Sequence, residues 1–299
     1  HIGVNFTSAE LTMQLDDFAE RVLKPRVSQL ASSVDADVAT AYKGIYNSVG
    51  TPGTTPSTSL VLLQAQQKLN EFATPMNPRY ATVNPAANAG LVEGLKGLFN
   101  PTGTISRQFK NGMMGEGVLG LDEINMSQSI VQHTTGVTPT APIVATAVST
   151  QGATSLAISF TSGSPTFKIG DVFTIAGVYA VNPQTRQTTG ALQQFVVTAD
   201  VTVSSTTTAT LTVQPPIFTP ANALATVDSF PAASAVLTFL GGSATTYPQN
   251  LIYHKDAITL ATADLLLPQG VDMASRQVHN GISLRIVRQY DINNDRMPC

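Results

Sequence analysis

Charge is scarce in this sequence: only 12% of its 299 residues are charged, about half the share of an average globular protein. Uncharged polar residues and alanine must therefore cover most of the surface, and a sparsely charged surface favours association over isolation. The formal net charge is -3 and no run of lysine or arginine occurs. The basic footprint of a protein that reads nucleic-acid sequence is therefore missing, and the charge pattern favours assembly instead.

Cysteine, tryptophan and long apolar runs are missing too. Cys299 is the single cysteine and there is no tryptophan. One cysteine cannot form a disulfide framework, so we expect a reducing, intracellular setting. No run of about 18 apolar residues occurs, which excludes a helical membrane span. The sequence opens at His1, without an initiator methionine and unlike a signal peptide, so we expect that something precedes it.

Helical periodicity is concentrated in the first part of the sequence. Within residues 8–48, apolar residues recur at three- and four-residue steps. Pro25 interrupts them, which indicates either a kink or a fresh helix with proline in its first turn. The pattern after Pro25 predicts a helix over 26–47, about 33 Å long at 1.5 Å per residue. Weaker signals predict helices over 57–72 and 86–99, a strand over 80–83, and a largely irregular stretch over 100–136 with one short helix near 106–111.

The composition changes sharply at about residue 143. From Ile143 to Thr246, 104 residues carry only five charged side chains, while threonine, valine, alanine and serine dominate. Apolar and polar residues alternate as in half-buried strands, and short strands separated by turns are typical of a small barrel or sandwich. We therefore predict an all-β block that can fold on its own. Its predicted strands are 143–149, 154–160, 171–176, 193–203, 208–214 and 235–240.

Charge density recovers after residue 247, and strands are again predicted. Two of them cover 251–253 and 256–261. Asn280-Gly281 predicts a tight turn ahead of an alternating run that ends near Tyr290. Helices and strands therefore flank a discrete all-β block, which predicts an α+β fold with an insertion.

Short motifs along nearly the whole sequence resemble those of phage coat proteins similar to that of P22. The segment from Phe6 to Pro25 resembles the one that enters the long helix of these proteins, and further motifs follow in the family's order. Each motif is short, but their collinearity makes the set specific. The further motifs are Asp35-Ala-Asp37, Val49–Thr54, Leu98-Phe-Asn100, His133-Thr-Thr-Gly136, Phe167-Lys-Ile-Gly-Asp171, Ile175–Val178, His254–Ile258, Asp272–Ser275, Gly281–Arg285 and Tyr290–Arg296.

The resemblance implies the HK97-like capsid fold, with a peripheral domain, an axial domain, an extended loop and a long spine helix at 26–47. P22-like members also carry an inserted β-barrel domain, which the all-β block fits in position, size and character. We therefore expect the first part of the core over 1–142, the inserted barrel over 143–246 and returning strands over 247–299. Family members usually have an amino-terminal arm and the outgoing part of the extended loop ahead of the point matching His1, and we expect both to be missing here.

The resemblance also implies a function: a major capsid protein that self-assembles into hexamers and pentamers of an icosahedral head around double-stranded phage DNA. Expected partners are other copies, portal, scaffolding and decoration proteins, and packaged DNA without sequence reading; the expected location is the virion, and the host cytoplasm during assembly. We expect no enzyme, cofactor, metal, membrane contact or covalent cross-link. Deleting the barrel is expected to impair folding or particle size. Subunit contacts are expected at Asp16, Asp17, Glu20, Arg21, Lys24, Arg285, Arg288, Asp295 and Arg296.

Residues with catalytic or metal-binding chemistry are few and scattered. His1, His133, His254 and His279 have no other ligand at metal-binding spacing, so we interpret them as hydrogen-bonded loop or strand residues. Cys299 has no positioned base. No phosphate-binding Gly-x-x-x-x-Gly-Lys loop and no Gly-x-Ser-x-Gly elbow occur.

Two other function classes stay open. One is a β-rich carbohydrate-binding or adhesion module, although the isolated aromatic residues Tyr179 and Phe195 argue against it. The other is a hydrolase with an unrecognised site. A glycan array tests the first, and electron microscopy of the expressed protein separates both from a capsid protein.

Overall fold

The computed structural model describes residues 5–7, 24–94, 115–204, 206–263, 265–279, 282–294 and 296–298. The chain forms two compact units, a smaller one of His1–Val38 with Ile258–Cys299 and a larger one of Ala39–Ala257. Within the described residues, no helix is both long and apolar enough to cross a membrane.

Strands outnumber helices in the described part of the chain. In chain order the elements are β1 (Asn5–Thr7), α1 (Lys24–Ala39), α2 (Ser59–Glu71), β2 (Arg79–Val83), α3 (Pro85–Gly94), β3 (Gly115–Val118), β4 (Leu121–Met126), β5 (Gln132–Thr134), β6 (Ile143–Val144), β7 (Ala153–Ser159), β8 (Thr166–Phe167), β9 (Val172–Val181), β10 (Thr188–Val197), β11 (Val201–Thr202), β12 (Thr208–Ile217), β13 (Leu237–Phe239), β14 (Thr246–Pro248), β15 (Leu251–His254), β16 (Met273–His279), β17 (Ile282–Arg288) and β18 (Arg296–Pro298).

Helix α1 is shorter than the predicted helix over 26–47, so that prediction is wrong at its end. After Ala39 the chain tightens into a 3-10 helix over Thr40–Gly44 and then becomes extended. The tighter turn buries the ring of Tyr42, and 3-10 turns commonly end α-helices. Residues 8–23 lie outside the described ranges, so a kink or a fresh start at Pro25 stays a prediction.

The larger unit contains a mixed sheet with strand order β15-β2-β4-β3. β2 and β4 are parallel, with α3 in the connection between them. Leu62 of α2 and Leu91 of α3 pack with the buried sheet residues Ala81, Leu121 and Ile124. The helix predicted over 57–72 and the strand over 80–83 are confirmed, and the helix over 86–99 is confirmed as far as Gly94, where the described residues stop.

Residues 115–134 are more regular than the predicted irregular stretch, because they contain β3, β4 and β5. The prediction was wrong here because β4 pairs with β2, a strand distant along the chain, so local periodicity does not reveal it. The short helix predicted near 106–111 lies outside the described residues.

Six antiparallel strands in the order β13-β9-β10-β12-β7-β6 form a sheet that closes on itself. Val144 N donates to Ala235 O and Leu237 N to Pro142 O, both at 2.9 Å, which joins the two edges. Phe173 stacks on Phe195 inside, with ring centroids 5.8 Å apart. The predicted barrel or sandwich is therefore a barrel. β9 and β12 are longer than predicted, and β6 and β13 are shorter. The single strand predicted over 193–203 is wrong, because that span is divided between β10 and β11.

In the smaller unit, β16 and β17 form an antiparallel hairpin and β1 pairs with β18. The alternating run after Asn280-Gly281 is therefore confirmed as a strand. The strand predicted over 256–261 is wrong: a 3-10 helix covers Lys255–Ala257, and residues 258–261 form no strand. Lys255 N donates to Pro78 O at 3.2 Å, which ends the pairing of β15 with β2.

Candidate functional site

A chain of buried polar side chains lies inside the larger unit. We call it the junction network: Tyr42, His133 and Asp171, which are 6%, 3% and 5% exposed. The Tyr42 hydroxyl lies 3.0 Å from His133 Nδ1, and His133 Nε2 lies 2.9 Å from Asp171 Oδ1. The network therefore joins three distant parts of the sequence: the turn after α1, strand β5 and the entrance to the barrel.

The carboxylate of Asp171 is held by a tight turn between β8 and β9. Its Oδ2 accepts hydrogen bonds from Lys168 N at 2.7 Å and Gly136 N at 3.1 Å. Gly170 has φ +99°, and an added Cβ would lie 3.1 Å from carbon atoms of both His133 and Tyr42. Glycine is required there by the backbone conformation and by the close packing of the two rings. The predicted turn at 168–171 is confirmed.

One assignment of the hydrogens satisfies every contact of the junction network. An ionised Asp171 only accepts, so His133 Nε2 carries a hydrogen and donates it to Oδ1. In the neutral tautomer Nδ1 then accepts from the Tyr42 hydroxyl. Burial, followed by the negative charge of Asp171, raises the pKa of Tyr42, so the hydroxyl keeps its proton. The same two causes raise the pKa of Tyr247 to about 12; its ring lies edge-on to His133 with centroids 5.8 Å apart.

The order tyrosine, histidine, aspartate resembles a catalytic relay, but its surroundings exclude a substrate. All three side chains are sealed from solvent. The cavity beside Asp171 and Gly136 has a volume of about 10 Å³, room for about one water molecule. Among the described residues, no group of three or more His, Cys, Asp or Glu side chains could hold a metal ion. The network therefore connects parts of the fold, as satisfied buried polar groups do.

A second set of polar contacts joins the barrel strand β10 to the rest of the larger unit. Gln194 exchanges two hydrogen bonds of 2.9 Å with the backbone of Ser48. The Lys68 ammonium on α2 also donates to Gln194 Oε1. Next to it, Asn182 Nδ2 donates to Glu71 O at 2.7 Å, at the carboxyl end of α2. The barrel is thus fastened at the junction network and along α2.

Lys68 makes the contribution of this second set of contacts to the free energy of unfolding depend on pH. Burial lowers the pKa of its ammonium from 10.5 to about 8, against the opposing effect of Glu71. Between these two values the unfolded chain binds more protons, so the free energy of unfolding rises with pH. We expect wild type to gain about 1–2 kcal/mol relative to Lys68→Met between pH 7 and pH 10, allowing for the partly exposed ammonium. Urea unfolding at both pH values measures this difference.

Lys68→Arg is the matched control, because arginine stays charged at pH 10. It is expected to show no such gain relative to Lys68→Met. Tyrosine ionisation affects all three proteins alike and cancels in the comparison. Parallel changes of wild type and Lys68→Met with pH would contradict the prediction.

Four of the predicted subunit-contact residues are described, and all four belong to the smaller unit. Arg288 of β17 contacts Asp272, with Nη2 2.7 Å and Nε 2.9 Å from Oδ2. Arg285 is on the opposite face of the same strand and donates to Leu266 O. Lys24 begins α1, and the backbone of Arg296 pairs with Thr7. The other predicted contact residues lie outside the described residues: Asp16, Asp17, Glu20, Arg21 and Asp295.

The sequence does not predict the junction network as a unit, although it predicts some of its parts. His133 was interpreted as a hydrogen-bonded histidine, and this is confirmed. Two of the family-like motifs, 133–136 and 167–171, meet here through Gly136 N and the Asp171 carboxylate. Their joint presence was the only signal in the sequence, and it carried no information on distance.

Comparison with known proteins identifies the family. The model of a family described as "P22 coat protein - gene protein 5" matches residues 1–299. A solved structure titled "CUS-3 coat protein I-domain" is 29% identical; the match covers 35% of this chain and 99% of that chain, with a TM-score of 0.27. No curated protein matches the sequence. Because the family model spans the whole sequence, the chain belongs to the P22 coat protein family and is a phage capsid protein.

Proposed function

We propose that copies of this protein form the hexamers and pentamers of an icosahedral head around double-stranded phage DNA. The observation that carries the proposal is the coat-protein family match over residues 1–299. The family is structural rather than enzymatic, its members self-associate in a capsid shell, and the location is the virion. To these family properties the proposal adds the arrangement of the copies in hexamers and pentamers and the double-stranded DNA inside the head.

The fold behind this function is of the HK97 type, with α1 as its spine helix and residues 143–246 as an inserted barrel. The closure of the barrel supports the insertion, because β6 and β13 meet at the two ends of the segment. Ala244 N donates to Gly136 O at 3.1 Å. The chain therefore leaves the barrel beside the point where it enters, as an insertion requires.

Subunit contacts are proposed at two charged sets. The first is the early segment Asp16–Lys24, and the second is the tail from Arg285 to Arg296. Opposite charges on neighbouring copies would set their orientation, and head-to-tail contacts that close into rings generate capsomers. Portal, scaffolding and decoration proteins, non-specific contact with packaged DNA, and assembly in the host cytoplasm complete the proposal.

Electron microscopy of the expressed protein, with sedimentation of the same sample, tests the proposal. We expect shells or ring-shaped capsomers, because the contact surfaces belong to every copy. Denaturing electrophoresis of the particles is expected to give a single monomer band without a ladder. A protein that stays monomeric at every concentration used for assembly would refute the proposal.

The carbohydrate-binding alternative loses one of its two aromatic candidates. Phe195 is fully buried against Phe173 in the barrel. Tyr179 remains partly exposed, and its strand neighbour is Leu192 rather than a second aromatic residue. One tyrosine does not make the stacking platform on which sugar rings bind.

A further inference from the structure

Three consecutive leucines are exposed beside the β16–β17 hairpin. We call Leu265–Leu267 the leucine segment; Leu266 is 83% exposed and its two neighbours are more than a third exposed. Two arginines hold its backbone: Arg276 Nη1 donates to Leu265 O at 3.1 Å, and Arg285 donates to Leu266 O. The segment is thus fixed by its carbonyl groups while its side chains face solvent.

The two arginines form an unusual pair. Arg276 of β16 lies directly opposite Arg285 of β17 in the hairpin register, and like charges in that arrangement repel. Among the described residues neither has a carboxylate partner. Each guanidinium has five N–H donors, and one nitrogen of each is used by the leucine segment. The other N–H groups of the two guanidinium groups can donate to the carboxylates of a partner.

Apolar exposure is also high on the rest of the hairpin. Val278 of β16 lies on the face of the hairpin that carries Arg276 and Arg285 and is 50% exposed. Leu284 and Ile286 of β17 are also more than a third exposed, on the opposite face. A monomeric protein rarely leaves such a concentration of apolar side chains in water. Apolar residues around arginines are typical of the centre of a protein–protein contact.

We propose that the leucine segment and the Arg276–Arg285 pair bind a second copy of this chain, whose carboxylates complete the two guanidinium groups. This deepens the proposed function, on which it rests. A capsid protein contacts other copies of itself, so the expected binding partner is a second copy of this chain. Charge complementarity supports it, because the sequence carries three carboxylates within Asp16–Glu20.

The test replaces Leu266 by aspartate and measures assembly by sedimentation and electron microscopy. Leu224→Asp is the matched control, since Leu224 is a 66% exposed leucine of the larger unit. Losing one buried leucine and placing a carboxylate there weakens each contact by about tenfold or more. We therefore expect at least about tenfold fewer particles from Leu266→Asp and a wild-type yield from Leu224→Asp. Circular dichroism and the urea midpoint of unassembled subunits are expected to stay unchanged in both.

Hydrogen exchange of the Leu265–Leu267 amides gives an independent measurement on the wild-type protein. We expect slower exchange in particles than in free subunits. Wild-type yield from Leu266→Asp, or equal exchange in both states, overturns the inference while leaving the proposed function intact. Amides already protected in free subunits overturn it too, because another part of the same chain then covers the segment. Wild-type protein that never assembles overturns both.

Discussion

Replacing Asp171 by alanine is expected to lower the free energy of unfolding by about 3–5 kcal/mol, because each buried donor left without its acceptor costs about 1–3 kcal/mol. The change removes the acceptor for three donors: His133 Nε2, Lys168 N and Gly136 N. Of the three, only Gly136 lines the cavity beside Asp171, which has room for about one water molecule, so one water cannot replace the carboxylate for all three donors. Urea unfolding followed by circular dichroism measures the loss.

Asp200→Ala is the control for this experiment. Asp200 contacts the same turn: its Oδ1 accepts from Ile169 N at 2.7 Å, and its Oδ2 lies 3.8 Å from Lys168 Nζ. Unlike that of Asp171, its side chain is 55% exposed. Water replaces the lost acceptor there, so we expect a loss of about 1 kcal/mol or less. Equal losses in Asp171→Ala and Asp200→Ala would mean that burial of the junction network adds nothing.

The spacing of apolar and polar residues predicted the helices and strands whose positions depend on residues close together in the sequence. The spacing of apolar residues located α2 within two residues at its start and one at its end, because one face of a helix packs at that spacing. Alternation and the loss of charge located the barrel strands, because each has one face in a common core. Closure of the barrel was not predictable, since it depends on Val144 meeting Ala235 across the whole block.

The failures share a different cause, which is a partner far along the chain. The predicted helix over 26–47 ends early where Tyr42 turns toward His133, 91 residues later. Strand β4 pairs with β2 across the connection that holds α3. The junction network is the extreme case: the sequence contains His133 and Asp171 in two noticed motifs, and only folding brings their side chains to 2.9 Å.

Excising the barrel is expected to give two opposite results, because the barrel core has 16 buried residues and the core described in the remaining chain has seven. The barrel core lies entirely within the excised segment: every buried residue of it falls between Val144 and Leu237. The fragment 137–245 is therefore expected to fold alone, with β-type circular dichroism and a cooperative urea transition. The joining ends are close, since Ala244 N donates to Gly136 O at 3.1 Å, so a short glycine–serine linker can replace the segment in the remaining chain.

The remaining chain is expected not to fold, because its core is the smaller of the two and its polar side chains also lose hydrogen-bond partners in the barrel. Without Asp171 and Gln194, His133 loses the acceptor of its Nε2 hydrogen and keeps only Tyr42, and Lys68 loses the acceptor Gln194 Oε1. Each unsatisfied buried group costs about 1–3 kcal/mol, against a total stability of about 5–15 kcal/mol. The matched variant of the remaining chain carries His133→Leu and Lys68→Met. It leaves no polar group without a hydrogen-bond partner at either position, so we expect it to regain part of its solubility and helix content. A barrel fragment that is unfolded would contradict the prediction. So would a remaining chain that is as stable as the whole protein.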